Sequence, residues 1–312
     1  MYISGINRLL YYKFLNKRIL LLGESHQLKR CEEEKNSILV SDYVISLIKR
    51  ASKEQCVDVF IEGTYKELLK EGANSELFLL RSFLSRKDYE NFRLHHVDPR
   101  NLQLGFNEGP QFGDLTAIII SFLLQKRQEG ILFKSFISEK DIIKTIDYLV
   151  GVNRDRSQFK KIFEDYFQDG LMLDTRNIVE WEKEYFRIME KQFRKLDKTI
   201  MTKPILTGIL SDTYKRIIAT STKDKLESAL LMLLSVPMDV YTLTRMFIRF
   251  EDKQRSSCNK TTIENVIIYA GSGHVLVYEE FFSWLFGNPI IKSVNHSEDD
   301  LCLSVENFDF WQ

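Results

Sequence analysis

The sequence predicts an α/β fold, a mixed and mainly parallel sheet with flanking helices and a large helical insertion in the middle of the chain. Three observations predict it. Continuous apolar runs stop at glycine or acidic residues, as in Ile19–Leu22 followed by Gly23-Glu24 and Val57–Ile61 followed by Glu62-Gly63; such runs read as strands buried on both faces. Between them Ile38, Tyr43, Val44, Leu47 and Ile48 recur at helical spacing, which makes strand, helix, strand a right-handed βαβ unit. From Gly113 to Phe250 the pattern is helical almost throughout. The expected organisation is a single α/β domain over residues 1–312, with 113–250 as a helical insertion or cap within it.

The elements follow in order. Residues 1–17 are a polar and aromatic mixture, read as a short helix or strand laid across the core. The charged stretch Gln27–Lys35 is a loop, Ser37–Ser52 a helix, and residues 64–90 one or two helices. Asn91–Val97 reads as a third strand, stopped by Pro99, which cannot donate to a ladder and keeps Asp98 extended. His95 and His96 are consecutive, so on a strand they face opposite sides and cannot both bind one metal; each is assigned to packing or surface. Within the middle, Asp114–Lys126, Glu139–Val150, Ser157–Phe167, Thr175–Lys195, Asp224–Leu234 and Val236–Phe247 are the helical segments. Glu251–Thr262 is a loop, Glu264–Ala270 a buried strand and Val275–Phe286 an aromatic helix. Ile290–Val294 and Leu301–Val305 are expected as an edge hairpin.

Composition narrows the function. Lys+Arg and Asp+Glu balance at 44 each in 312 residues, so no net field recruits nucleic acid or an anionic membrane. No apolar run is long enough to span a bilayer, and the first residues lack the pattern of a signal peptide. Cys31, Cys56, Cys258 and Cys302 are scattered without a Cys-x-x-Cys pair and read as free thiols. The expectation is a cytoplasmic protein, in host cytoplasm or virion if viral, acting on a small molecule or peptide without nucleic-acid or membrane partners.

The chemistry gathers at strand ends, where ligands bind in open α/β sheets. Gly23-Glu24-Ser25-His26 and Gly271-Ser272-Gly273-His274 share the spacing Gly-x-x-His, near the two ends of the chain. If both strands share one sheet, His26 and His274 converge. Glu62 ends the second strand as Glu24 ends the first, and Asp98 and Arg100 follow the third. Arg245, with Met238 and Tyr241 on one helix face, could reach an anion or those carboxylates. Bland readings stand beside these: solvated strand-end residues for Glu24 and His26, a helix cap for Glu62, and a snorkelling side chain for Arg245. His26, His274, Glu24, Glu62 and Asp98 suit a divalent metal such as zinc or manganese, which could activate water. Without metal, a His–carboxylate pair can act as general base, with Arg100 and Arg245 holding an anionic intermediate.

Leu21-Leu22-Gly23-Glu24-Ser25-His26 and Tyr269-Ala270-Gly271-Ser272-Gly273-His274, with Glu62 between them, resemble the TraB/PrgY, Tiki, ChaN and erythromycin-esterase superfamily. Gly-Glu-x-His is especially similar to ChaN-like members, and Arg245-Met246 resembles an Arg-containing helix that precedes the last motif in several members. Asp239–Phe247 is also similar to uncharacterised proteins of large DNA viruses. The resemblance covers roughly residues 15–105 and 235–295. It implies a strand-end cleft with His26 and His274 as base or ligands and Glu24 and Glu62 as acidic partners. It implies no single reaction, because Tiki proteins are metal-dependent peptidases, erythromycin esterases open a macrolactone and ChaN-like proteins bind haem. The chain departs from the esterases in having one residue fewer between Glu24 and His26. The expected function is an intracellular hydrolase of an ester or amide bond, possible with or without metal. The alternative is a non-catalytic ligand- or haem-binding protein, or a viral host-interaction factor, using the same cleft.

Overall fold

The computed structural model describes residues 2–14, 16–24, 31, 36–52, 55–62, 91–97, 138–166, 175–222, 224–250, 258, 260–295, 302–305 and 308–312. The helices expected over 64–90 and 114–126 lie outside these residues, as do most of the loops expected at 27–35 and 251–262. The chain forms two compact units, one built from Met1–Val97 with Met246–Gln312 and the other from Asp98–Arg245.

The first unit is mixed α/β. Its strands are β1 (Tyr2–Ser4), β2 (Arg8–Phe14), β3 (Lys17–Glu24), β4 (Ser37–Leu39), β5 (Val57–Ile61), β6 (Phe92–His96), β7 (Asn265–Gly271), β8 (Ile291–Val294) and β9 (Cys302–Ser304). Its described helices are α1 (Val40–Arg50) and, late in the chain, α7 (Ser272–Phe286). A six-stranded sheet runs β6-β5-β7-β3-β2-β8, and a three-stranded sheet runs β4-β1-β9. β6, β5, β7 and β3 are parallel neighbours, whereas β3–β2 and β2–β8 are antiparallel. The smaller sheet pairs β1 with β4 in parallel and with β9 antiparallel.

The sheets are therefore mixed but only partly parallel, and the reason is local. Phe14 pairs with Lys17, so the chain reverses within two residues, and so short a connection permits only an antiparallel pair. The edge hairpin expected from the last two strands does not form. β8 joins β2 in the large sheet and β9 joins β1 in the small one, linked across by the Ser293 hydroxyl donating to the Ser304 carbonyl at 2.8 Å.

The two faces of the large sheet are covered differently. Leu20, Leu22, Val57, Val59, Ile61, Ile267 and Tyr269 pack with Val40, Tyr43, Val44, Leu47 and Ile48 of α1 in one buried cluster. Alternation sends the next residues to the other face. There Tyr12 meets Phe282 of α7 with ring centroids 5.6 Å apart, and its hydroxyl donates to the Glu279 carbonyl. Burial raises the Tyr12 pKa to about 12, so this phenol stays neutral across the physiological range.

In the second unit the described elements are all helical: α2 (Glu139–Val150), α3 (Ser157–Phe159) continued by a π-helical stretch (Lys160–Tyr166), α4 (Thr175–Arg194), α5 (Lys203–Thr220) and α6 (Lys225–Met246). α2 starts where Ser138 and Asp141 form a capping box and stops at Gly151, whose φ of 93° is the left-handed conformation that favours glycine. The two helical pieces expected at 224–234 and 236–247 are one helix, with Pro237 inside it. α6 is long and apolar enough to cross a membrane, but 78% of the qualifying stretch is buried inside the protein.

The free-thiol expectation is overturned. Cys31 is bonded to Cys302 and Cys56 to Cys258, leaving no free cysteine. Sequence separations of 271 and 202 residues hide these pairs from any local spacing rule.

Candidate functional site

The two Gly-x-x-His strands are hydrogen-bonded neighbours. β7 lies between β5 and β3, in a register that sets Gly23 opposite Ala270 and Glu24 opposite Gly271. All three strands run the same way, so Glu24, Glu62 and Gly271 finish at one edge of the sheet. The Glu62 amide continues the ladder by donating to the Tyr269 carbonyl at 3.2 Å. Here α7 begins directly after β7 and carries His274 in its first turn.

Glu62 is the hub. One carboxylate oxygen accepts the Gly271 amide at 2.7 Å, and the other lies 3.4 Å from His274 Nε2. The second approach is ionic reach rather than a well-formed hydrogen bond. A carboxylate at the start of a 15-residue helix is also favoured by the unpaired amides and the helix dipole there. Glu62 thus serves the start of α7, while the helix expected to follow β5, which it was weighed as capping, lies outside the described residues. His274 is buried, with Tyr278 one turn on and ring centroids 6.5 Å apart.

Glu24 is buried and accepts a hydrogen bond from the Tyr269 hydroxyl on the neighbouring strand. Ser272 donates to Asn7 Oδ1 at 2.5 Å, tying the start of α7 to the turn before β2. Beside it, Arg8 pairs with Glu279 of α7, which also accepts from Lys292 Nζ at 2.5 Å. Gly23 is needed for close approach: a Cβ there would lie 3.2 Å from Arg8 Cβ and 3.2 Å from Ser272 Oγ. Gly273 has nothing within 4 Å of its added Cβ.

Of the residues expected at the site, Glu62 and His274 come together at this edge, whereas Glu24 ends β3 two strands from β5 and meets Tyr269. His26, Asp98 and Arg100 lie outside the described residues. Arg245 belongs to the helical unit, with its guanidinium 3.5 Å from Gln192 Oε1 and 5.9 Å from the Tyr241 ring centre. Tyr269, Asn7 and Arg8 are absent from the sequence-based set. A tyrosine inside an otherwise apolar strand is a signal that could have found the first, since a buried phenol needs a polar partner. Among the described residues no group of three or more His, Cys, Asp or Glu is placed to hold a metal. Two of the five proposed ligands, His26 and Asp98, lie outside those residues; the remaining imidazole and carboxylates are the donor types zinc and manganese accept.

A second polar cluster sits elsewhere on the sheet. Arg93 grips Asp58 bidentately at 2.7 and 2.8 Å and donates onward to the carbonyls of Lys260 and Thr262. His95 Nε2 is 2.8 Å from Asp58 Oδ1, with its ring stacked on Phe60 at 4.4 Å. Burial acts to raise the Asp58 pKa, but the hydrogen bonds and charges of His95 and Arg93 outweigh it and hold the carboxyl below its ordinary value. Asp58 precedes Glu62 by four residues on an extended strand, about 13 Å, which separates this cluster from the strand-end group. His95 is thus buried rather than at the surface, stacked on Phe60 and paired with Asp58.

Comparison with family models, with curated proteins and with solved structures finds no match for this chain.

Proposed function

We propose that the chain is a hydrolase that cleaves an ester or amide bond at the edge where β3, β5 and β7 end. The observation that carries this reading is Glu62, fixed by the Gly271 amide and set within ionic reach of the His274 imidazole. A carboxylate so held can orient the ring and stabilise the imidazolium formed when His274 takes a proton from water. Glu24, held by Tyr269, adds a second carboxylate, and His26 is proposed as the second imidazole. Arg100 and Arg245 are proposed to stabilise the anionic intermediate. If a divalent metal takes part, His26, His274, Glu24, Glu62 and Asp98 are its proposed ligands, and it would supply Lewis acidity and a more acidic water. The resemblance to the Gly-x-x-His superfamily, the cytoplasmic placement and the reading of 113–250 as an insertion belong to this same proposal.

One observation favours a second reading, a non-catalytic protein holding a small ligand or haem, or a viral host-interaction factor. Both described carboxylates already have structural duties, Glu62 at the start of α7 and Glu24 on Tyr269. Elemental analysis of gently purified protein beside a His26→Ala/His274→Ala variant, followed by an ester and amide panel, separates the two. Turnover lost in the variant with its circular dichroism unchanged supports the hydrolase, and stoichiometric zinc or manganese lost with it supports the metal. Equal turnover in parent and variant removes the hydrolase reading, and haem titration then tests the second.

A further inference from the structure

The two disulfides differ in a way that bears on control of the fold. Cys56 and Cys258 are buried at 5% and 8% exposure, and the Asn265 side chain donates to the Cys56 carbonyl at 3.0 Å. Cys31 and Cys302 are only partly buried. Thiol–disulfide exchange requires an external thiolate to reach a sulfur, so access decides which bond opens first.

The accessible bond also joins the shortest strands of the unit to their neighbours. Cys302 opens β9, which is held to β1 by the pairs Tyr2 with Ser304, Ile3 with Leu303 and Ser4 with Cys302. Cys31 lies seven residues beyond Glu24, and its amide donates to the Ser4 hydroxyl oxygen at 3.1 Å. Cys31, Ser4 and Cys302 therefore meet at one point of the small sheet. The strands of that sheet are three residues each, too short to be stable on ladder hydrogen bonds alone. The opposite is true of Cys56–Cys258, which sits beside the long central strands.

We propose that Cys31–Cys302 is a redox-sensitive clasp on the small sheet, tying Cys31 to β9 beside β1, while Cys56–Cys258 is a permanent cross-link. The reductant is a dithiol. Its thiolate attacks one sulfur of the clasp, forming a mixed disulfide with that cysteine and releasing the other as a thiolate; its second thiol then closes the reductant's own disulfide and displaces the attacked cysteine. Two electrons and two protons pass to Cys31 and Cys302, and the dithiol leaves as a disulfide. Opening releases β9 from β1 without breaking the β3–β7–β5 core.

The test begins with purified protein equilibrated in oxidised glutathione. It is then stepped through increasing dithiothreitol, quenched with an alkylating reagent at each step, and mapped by peptide mass. The expected result is alkylation of Cys31 and Cys302 at a dithiothreitol concentration at least tenfold below that needed for Cys56 and Cys258. Hydrogen exchange at the intermediate step should be at least tenfold faster over β1 and β9 and unchanged over β3 and β7. Four alkylated cysteines before any reductant, simultaneous opening of both bonds, or prior opening of Cys56–Cys258 would each overturn the proposal. So would an intermediate whose β1 and β9 amides exchange as in the oxidised protein. A Cys31→Ser/Cys302→Ser variant provides a second reading: it should show the same local exchange with no reductant present.

Discussion

Two glycines four residues or fewer from the site histidines have opposite roles, and substitution should show it. At Gly23 an added methyl meets the Arg8 and Ser272 side chains at 3.2 Å each, inside ordinary contact distance. Gly23→Ala should lower stability by about 1–3 kcal/mol, the usual effect of overpacking. Gly273 lies in the first turn of α7 with open space around it, so Gly273→Ala should be neutral or stabilise by up to about 1 kcal/mol. Thermal melts of both variants check this, and equal losses would contradict the close approach of α7 to β3. At this scale the strand-end positions of Glu24 and Glu62 were legible because polar residues ending apolar runs stand out, and that of His274 from its spacing to Gly271. Tyr269 was missed because its ring suits the buried strand, although its hydroxyl, needing a polar partner there, was the signal to follow. Asn7 and Arg8 were hidden for another reason: they reach α7 from a stretch with no periodicity of its own.

Among the elements, β5 and β6 are joined by charge as well as by their ladder. Asp58 is fully buried and faces Arg93 and His95 on the neighbouring strand. Replacing Asp58 with Ala leaves the Arg93 charge without its carboxylate, and urea denaturation should show a loss of about 3–5 kcal/mol. The pH dependence follows from the direction of the shift. The folded-state pKa lies below the ordinary 3.8, so the stabilisation is fully present above that value and is lost as pH falls through the folded pKa. Parent and Asp58→Ala stabilities should therefore converge in acid below about pH 4; a constant gap down to the lowest pH would contradict the assignment. Element boundaries were readable where local chemistry marks them, as in α2, whose capping box and terminal glycine are both in the sequence. The continuity of α6 was not readable, because a proline within an apolar stretch ordinarily marks a helix start or a break. Burial of that helix on most of its surface overrides the local preference.

For the whole molecule, the decisive contacts are between residues far apart in sequence. The α/β class followed from alternating strand and helix patterns, but strand order did not, since nothing in β7 states that it lies between β5 and β3. The cysteine pairing was equally silent, because four cysteines allow three connectivities and spacing selects none of them. Closing loops of more than 200 residues removes much freedom from the unfolded chain, by the entropic estimate about 5 kcal/mol for each cross-link. Full reduction should therefore lower the urea midpoint substantially, and identical midpoints for oxidised and fully reduced protein would show that the bonds do not constrain the unfolded state.

The central place of β7 also sets an order of events during synthesis. More than half of the 312 residues lie between β6 and β7, so a ribosome needs roughly ten to thirty seconds, at about 5–20 residues per second, to deliver the strand that joins β3 to β5. Until then two strongly apolar strands have emerged with their shared partner still unmade, and each offers an open edge to other chains. A nascent chain of this protein thus exposes both edges for that interval, and any product ending before residue 265 lacks both the middle of its sheet and the histidine helix.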